Sequence, residues 1–421
     1  MDLIVTRWIV QSDEFPEVFN TRDFSEVTRP LHLFHNNGDA TFSNVSTLLG
    51  DVDVSPSNVH GAGFQPRFFD YDNDGDSDII IVNDFGEEHQ PSVLWRNDGP
   101  SLYNTWLFVD VSESTNVDVE IFAMGVAIGD YDNDEDFDLY ITNMGDNVLL
   151  QNSGQHYTNT ADFAGVAAGK LKSETIVSDM EEKFGGLVGM GITNLTQSEM
   201  EHLQEYAGEI PIMMGTPNLT QSEMEQLQEH AGEIPIAWGT IFFDYDNDGF
   251  LDLYVVRGFM TDLMPIEKNQ PNVLFRNNGN STFSDVSATS GIDDSGYGRG
   301  VAYGDFNNDG CLDIFVANID QIGKLFLNNC DGENNYLIIK TVGTSSNKDG
   351  IGTKIKVVTD SGTFTREVTS GGSHMSQNSL SVHFGLGESK HISLIQITWP
   401  SGNIQELENT TSNQIITVVE P

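Results

Sequence analysis

A nine-residue acidic loop recurs four times in this chain, and a repeat of that kind leaves few folds open. The segments are FFDYDNDGDSDIIIVND from Phe68, AIGDYDNDEDFDLYITN from Ala127, IFFDYDNDGFLDLYVVR from Ile241 and AYGDFNNDGCLDIFVAN from Ala302. Each sets an apolar run before the loop and a β-rich run after it. A second element follows every loop: LWRNDG at Leu94, LLQNSG at Leu149, LFRNNG at Leu274 and LFLNNC at Leu325. It also occurs as LFHNNG at Leu33, ahead of the first complete loop. Its Asn-Gly-type turn marks a hairpin. The loop-ending residues Asp78 and Asp138 are 60 positions apart, and Asp252 and Asp313 are 61 apart. Four short strands at that period predict an all-β fold built from β-propeller blades. A β-solenoid would need shorter turns, and a sandwich would not repeat its loop so faithfully.

The loop pattern is D-x-[DN]-x-D-G-x-x-D. Side chains at alternating positions of a tight loop converge on one point, and an all-oxygen set suits a hard cation. Calcium accepts irregular geometry, whereas magnesium demands a stricter octahedron. The expected ligands are side chains at positions one, three, five and nine, with a backbone carbonyl from position seven. These are Asp70, Asp72, Asp74 and Asp78 with Asp76, then Asp130, Asp132, Asp134 and Asp138 with Asp136. The third set is Asp244, Asp246, Asp248 and Asp252 with Phe250, and the fourth Asp305, Asn307, Asp309 and Asp313 with Cys311. An EF-hand shares this opening but needs Glu at position twelve and flanking helices. Position twelve here is Ile81, Ile141, Val255 or Val316, each within a β-like run.

The loops are not equivalent. Glycine at position six permits a sharp turn with positive φ, and the second loop carries Glu135 there. Asn307 removes a charge from the fourth loop while keeping an oxygen. Calcium is therefore expected in three to four loops, with the Glu135 loop the weakest. Its expected role is structural, because each empty loop holds mutually repelling carboxylates and binding free energy becomes folding free energy. Extracellular calcium modules bind at about 10⁻⁴ to 10⁻³ M, which places such a chain outside the cytosol.

Charge narrows the partners. The 421 residues include 64 acidic and 19 basic ones, a formal net charge of −45, which repels nucleic-acid phosphates and anionic headgroups. No apolar run approaches the ~18 residues of a membrane span. The N-terminal MDLIVTRWIVQSDEF lacks the basic start and long apolar core of a signal peptide. Met1-Asp2 followed by LIVTR aligns with Asp252 followed by LYVVR. Asp2 thus reads as the last residue of a loop whose earlier part is absent, and the chain as an N-terminally truncated fragment or one with a mis-called start. An atypical first blade is the alternative.

Asp138 and Asp252 are 114 positions apart, and the stretch between them contains an insertion, about 166–235. In it NLTQSEMEHLQEYAGEIPIMMGT, from Asn194, recurs as NLTQSEMEQLQEHAGEIPIAWGT, from Asn218. Each copy has a capping-box pattern and a short helical stretch. The duplication is either recent and passive or a dedicated binding device. A hairpin centred between Asp320 and Gln321 places Phe315 opposite Phe326 and Cys311 opposite Cys330. A disulfide fits this pairing, and two buried thiols are the alternative.

After Asn334 the repeat stops. NYLIIKTVG, TKIKVV, FTREV, LSVHFGLG, LIQITWPSG and QIITVVEP read as six short strands of a compact all-β domain, 334–421, following blades over 1–333. SNKDGIGTKIKV, GGSHMSQNSLSVHFGLG and ITWPSGNIQEL resemble the ASPIC/UnbV domain, which follows FG-GAP/VCBS-type calcium repeats. The resemblance implies an integrin-α-like propeller, usually of about seven blades, in a secreted or cell-surface protein.

The function so implied is a calcium-binding adhesion or interaction scaffold with an extracellular protein or glycan as partner. A carbohydrate-binding module, or an accessory of a glycan-degrading system, is the alternative. No H-E-x-x-H, G-x-S-x-G or phosphate-binding glycine loop occurs, so no catalytic residues and no enzymatic activity are expected. Ser373 and His374 are adjacent and read as a turn, not a catalytic pair.

Overall fold

The computed structural model describes residues 2–6, 31–49, 61–86, 90–100, 106–167, 235–258, 270–330 and 332–421. The duplicated segment, expected to contain short helices, lies outside the described residues apart from the end of its second copy, which enters a strand at Ala237. The chain is all-β. Among the described residues ahead of 333, five antiparallel sheets each run in chain order. Three have four strands: β4 (Ala62–Phe69) to β7 (Trp106–Asp110), β8 (Gly125–Gly129) to β11 (Tyr157–Asn159), and β12 (Ala237–Phe243) to β15 (Phe283–Asp285). The first sheet, β1 (Leu3–Val5) to β3 (Phe42–Asn44), has three strands. The fifth, β16 (Gly298–Gly304) to β18 (Lys324–Phe326), also has three, so the expected fourth strand of that unit is missing among the described residues.

Successive sheets pack face to face in a propeller-like series. Tyr140 and Leu149 of the third sheet share a core with Phe242, Leu253 and Phe275 of the fourth. Ile80 and Leu94 of the second meet Leu139 and Leu150 of the third. The strands following the first two loops are buried throughout, as in DIIIVND from Asp78, because apolar residues are needed on both of their faces, whereas the strand after the fourth loop leaves Phe315 and Ala317 exposed.

The last hairpin differs from expectation by one residue. Phe315 pairs with Leu325 and Ile314 with Phe326, around an odd-numbered loop whose centre, Asp320, has φ 51°. A symmetric even loop was assumed from the apolar pattern, which Asp320 breaks by entering the left-handed region. Cys311 and Cys330 lie beyond the open end of this ladder, away from the turn, and form a disulfide with Cα atoms 6.2 Å apart.

The C-terminal segment forms seven strands, not six. Sheet β22 (Val382–Gly387), β19 (Asn335–Val342), β25 (Gln414–Val419) faces sheet β21 (Thr363–Glu367), β20 (Lys354–Thr359), β23 (His391–Thr398), β24 (Ile404–Thr411). One core joins them through Ile339, Val357, Phe384, Ile395 and Trp399. The unforeseen strand is β24, IQELENTT, an edge strand with no fully buried residue and so no apolar alternation to read.

This unit sits on the acidic loops and sends its GGSHMSQN loop among the inner strands of four sheets. The Ser373 hydroxyl oxygen accepts the Thr240 N–H at 2.9 Å, and His374 Nδ1 lies 3.1 Å from the Met124 carbonyl. His374 stacks on Phe64, and Tyr303 N–H donates to Asn378 Oδ1. Ser373 and His374 are thus both used in packing. His383, lower in the unit, lies 3.1 Å from the Gly310 carbonyl.

Burial lowers both imidazoles to about 4, helped by Arg299 at His374 and Arg366 at His383. The unfolded chain protonates first, near 6.5, so the stability tied to the neutral rings is lost as pH falls from about 6.5 towards 4. Each ring is expected to account for up to about 3 kcal/mol of that loss. Thermal melts in excess calcium between pH 7.5 and 4.5 check this: His374→Asn should flatten the slope relative to the wild type, and parallel slopes would refute it.

Candidate metal centres

Each loop is a hairpin connection whose shape follows from two positive-φ positions. Position six was expected to be one, and Gly75, Gly249 and Gly310 have φ 93°, 98° and 89°. Glu135 adopts φ 79° in the same place, a strained conformation for a side-chain-bearing residue. The second is position four, where Asn73, Asn133, Asn247 and Asn308 lie at φ 59° to 62°. Asparagine tolerates this region because its short amide bonds locally. The repeated Asn was therefore readable, but its role was missed.

The carboxylates are oriented by the loop's own amides. Asp70 accepts from Asp74 and Gly75 N–H at 3.1 and 3.2 Å, and Asp130, Asp244 and Asp305 repeat the pattern. At position nine, Asp78 accepts Tyr71 N–H at 2.9 Å on one oxygen and Asn97 N–H at 2.7 Å on the other. Asp138, Asp252 and Asp313 do the same with Asn152, Asn277 and Asn328. Asp2 accepts Asn36 N–H at 2.9 Å, so it takes the position-nine role that its alignment with Asp252 implied.

Those asparagines belong to the LxxN element, and sequence reasoning assigned them only to a turn. Their side chains tie neighbouring loops together. Asn152 donates to the Tyr71 carbonyl at 3.2 Å, Asn277 to Tyr131 at 2.8 Å and Asn328 to Tyr245 at 2.6 Å. In the other direction Asn73 donates to Asp136 at 2.8 Å, and Asn247 to the Gly310 carbonyl at 3.2 Å. Recurrence of Asn at a fixed offset from every loop was the available signal.

Three loops gather carboxylates closely enough to share one ion. Asp70, Asp72 and Asp78 offer oxygens within 4.8 Å of one another, as do Asp130, Asp132 and Asp138, and Asp244, Asp246 and Asp248. The Glu135 loop is among these. The Asp305 loop is not: Asn307 turns its amide onto Asp309, donating at 2.7 Å, and that loop is largely exposed. Among the described residues, buried Asp72 Oδ1 and Asp132 Oδ1 have no hydrogen-bond partner. Orphaned carboxylate oxygens aimed into an all-oxygen pocket fit a hard divalent cation.

Electrostatics agree with that fit. Burial pushes the Asp78 carboxyl up to about 8, with Asp72 and Asp70 adding to it against the two N–H donors. Asp130 rises to about 7 and Asp134 to about 6, again chiefly through burial. Asp138, Asp244 and Asp252 are raised well above the usual carboxylate range for the same first reason. Desolvated acids without a cation are costly as anions. Local cations answer only part of this: Arg276 pairs with Asp246 at 2.7 Å and Asp248 at 3.2 Å, and Lys354 with Asp70 at 2.8 Å.

Comparison with known proteins matches this arrangement. The FG-GAP-like repeat model fits residues 70–141 and 244–316, each match running from one acidic loop into the strand after the next. The ASPIC and UnbV model fits residues 343–421. The chain carries FG-GAP-like repeats followed by an ASPIC/UnbV domain. It is 39% identical over 89 residues to Cartilage acidic protein 1 of Xenopus tropicalis, covering 21% of this chain and 14% of that protein. The mouse and human proteins of that name are 46% and 44% identical over 68 residues, covering 16% of this chain and 10% of each relative. The matched segments therefore span less than a fifth of these relatives' length. The ASPIC/UnbV match contains the inserted GGSHMSQN loop and the strands carrying Lys354, Lys356, Phe364 and Gly385, which lie on the FG-GAP loops.

Proposed function

We propose that this FG-GAP and ASPIC/UnbV chain is an extracellular interaction scaffold whose blades are held by structural calcium. The observation that carries the reading is the pair of orphaned carboxylate oxygens, Asp72 Oδ1 and Asp132 Oδ1, within clusters already crowded with raised carboxyls. Asp70, Asp72 and Asp78 would hold one ion, Asp130, Asp132 and Asp138 a second, and Asp244, Asp246 and Asp248 a third, with Asp74, Asp134 and Asp252 beside them. The ion supplies charge neutralisation and fixes loop shape, and no chemical step is asked of it. An outside location is supported by the millimolar-range affinity such loops have and by relatives named for cartilage. Those relatives are named as acidic proteins, not as enzymes. Among the described residues no helix is long and apolar enough to cross a membrane.

Calorimetric titration with calcium chloride tests the reading. Three equivalents are expected, one for each cluster, with Kd about 10⁻⁴ to 10⁻³ M. Asp72→Ala, Asp132→Ala and Asp246→Ala should each remove one equivalent. Absence of calcium heat in the wild type defeats the proposal.

A glycan partner is the second reading. A cavity of about 840 Å³ opens between the first sheet, the second sheet and the inserted loop, with Phe68, Trp106 and Phe108 in its wall. Aromatic faces in an open pocket suit sugar rings. Binding on a glycan array that is lost in Trp106→Ala would favour it over a protein partner.

A further inference from the structure

The acidic loops differ in what lies against position six, and the difference follows the C-terminal unit. At Gly249 an added Cβ would come within 2.7 Å of the Phe364 ring, and at Gly310 within 2.0 Å of the Tyr336 ring. At Gly75 nothing among the described residues lies within 4 Å. In the second loop Glu135 extends outward, and Lys356 of the C-terminal unit meets its carboxylate at 2.6 Å. Position six is therefore walled in the third and fourth loops and open in the first two. The one loop that departs from glycine is one where the side chain has room and a partner.

Other contacts follow the same division. Gly387 N–H donates to the Asn247 carbonyl at 2.8 Å, and Arg366 Nη2 to the Gly249 carbonyl at 3.4 Å. Gly385 passes so close that a Cβ there would lie 2.0 Å from Asp244 Oδ2. In the fourth loop His383 meets the Gly310 carbonyl, and Tyr336 stacks on His383. The first loop is touched by a charged side chain, Lys354, on Asp70 and Asn73. A lysine tip adapts to a shifted loop, whereas ring and backbone contacts do not.

We infer that the C-terminal unit is part of the third loop's metal centre, with Phe364 and Gly385 as positioning residues that hold the Gly249 turn and the Asp244 carboxylate in ligating shape. The inference rests on the calcium reading above and adds a site-selective dependence to it. Gly249 N–H donates to Asp244 Oδ2 at 2.8 Å, so moving the turn moves the first ligand directly. The first two centres hold their turns without such a wall. Coupling is reciprocal: an ion in the third loop also tightens the seating of the C-terminal unit.

Calcium titration of the full chain, wild type, Phe364→Leu and Gly385→Ala, decides this. The site deleted by Asp246→Ala should weaken about fivefold or more in both variants, within the usual range of coupling energies. The sites deleted by Asp72→Ala and Asp132→Ala should stay within about twofold of wild type. Equal weakening at all three sites, or none, overturns the inference. Hydrogen exchange on the wild-type protein is an independent check that needs no substitution. Gly75 and Gly249 amides make the same bond to a position-one aspartate. Gly249 should exchange about tenfold more slowly, and comparable protection would overturn the wall. A wild type that takes up no calcium removes the calcium reading itself, while the exchange comparison still decides whether the C-terminal unit holds the loop.

Discussion

Chelation of calcium should lower the melting temperature of this protein by roughly 10 °C, the sum of three sites each contributing about 1.4 kcal/mol at tenfold excess of ion over Kd. The size of the effect follows from what an empty loop contains. In the first, Asp78 is fully buried and Asp72 half-buried with an orphaned oxygen. Removing the ion obliges these groups to take up protons or repel. The sign of the pH dependence is fixed by the same groups. Their folded pKa values, about 8 for Asp78, 7 for Asp130 and 6 for Asp134, lie above the unfolded value. The contribution of these carboxyls to the stability of the calcium-free protein is therefore full below the unfolded value and is lost as pH rises through about 6 to 8. The EGTA-induced drop should be larger at pH 8 than at pH 6, and magnesium at equal concentration should restore less of it. Scanning calorimetry checks all three points. Identical melts with and without EGTA at pH 8 would exclude structural calcium.

The second large effect is expected at a residue that binds no ion. Asn277 is buried, donates through its amide to the Tyr131 carbonyl at 2.8 Å and the Leu251 carbonyl at 3.0 Å, and accepts Gly279 N–H at 2.9 Å. Asn277→Ala keeps the backbone bond to Asp252 but strips partners from two carbonyls. At about 1–3 kcal/mol for each buried group left unsatisfied, a loss of about 3 kcal/mol is expected. It should persist in saturating calcium, since the lost bonds go to backbone carbonyls and not to the acidic side chains proposed to hold the ion. Asn36 is the matched control: it stands at the same place in the first sheet, yet among the described residues its side chain accepts only Gly38 N–H, and it is partly exposed. Asn36→Ala should cost about 1 kcal/mol or less. Urea midpoints for the two variants measure the difference, and equal midpoints would show that the loop-to-loop link contributes nothing.

Much of this architecture was legible from residues alone, for particular reasons. The acidic loop marks each blade because crowded carboxylates persist only where they share a task, and DIIIVND or DLYITN after it reads as a strand buried on both faces. Asp2 aligns with position nine because LIVTR repeats LYVVR, and its carboxylate accepts the N–H of Asn36 on the adjacent strand as the other position-nine aspartates do with their Asn. The strand Ile404–Thr411 was missed because its alternation is polar on both faces. The hairpin register at Phe315 was missed by one because Asp320 adopts positive φ, a choice its neighbours in space decide. The Asn of LxxN looked like turn chemistry, since its second partner lies in the preceding blade and no local pattern names it.

By itself, then, the sequence determined the repeating unit, its oxygen-rich loops and the change of pattern after Asn334, because each depends on residues within a few positions of one another. Only the tertiary structure decided how the loops differ. Glu135 and Gly249 occupy the same place in the repeat and adopt similar backbone angles. One faces an open space and the Lys356 ammonium, the other a Phe364 ring. That distinction comes from a unit more than a hundred residues away in sequence, packed across the loops, and packing at such a distance leaves no mark in the local order of residues.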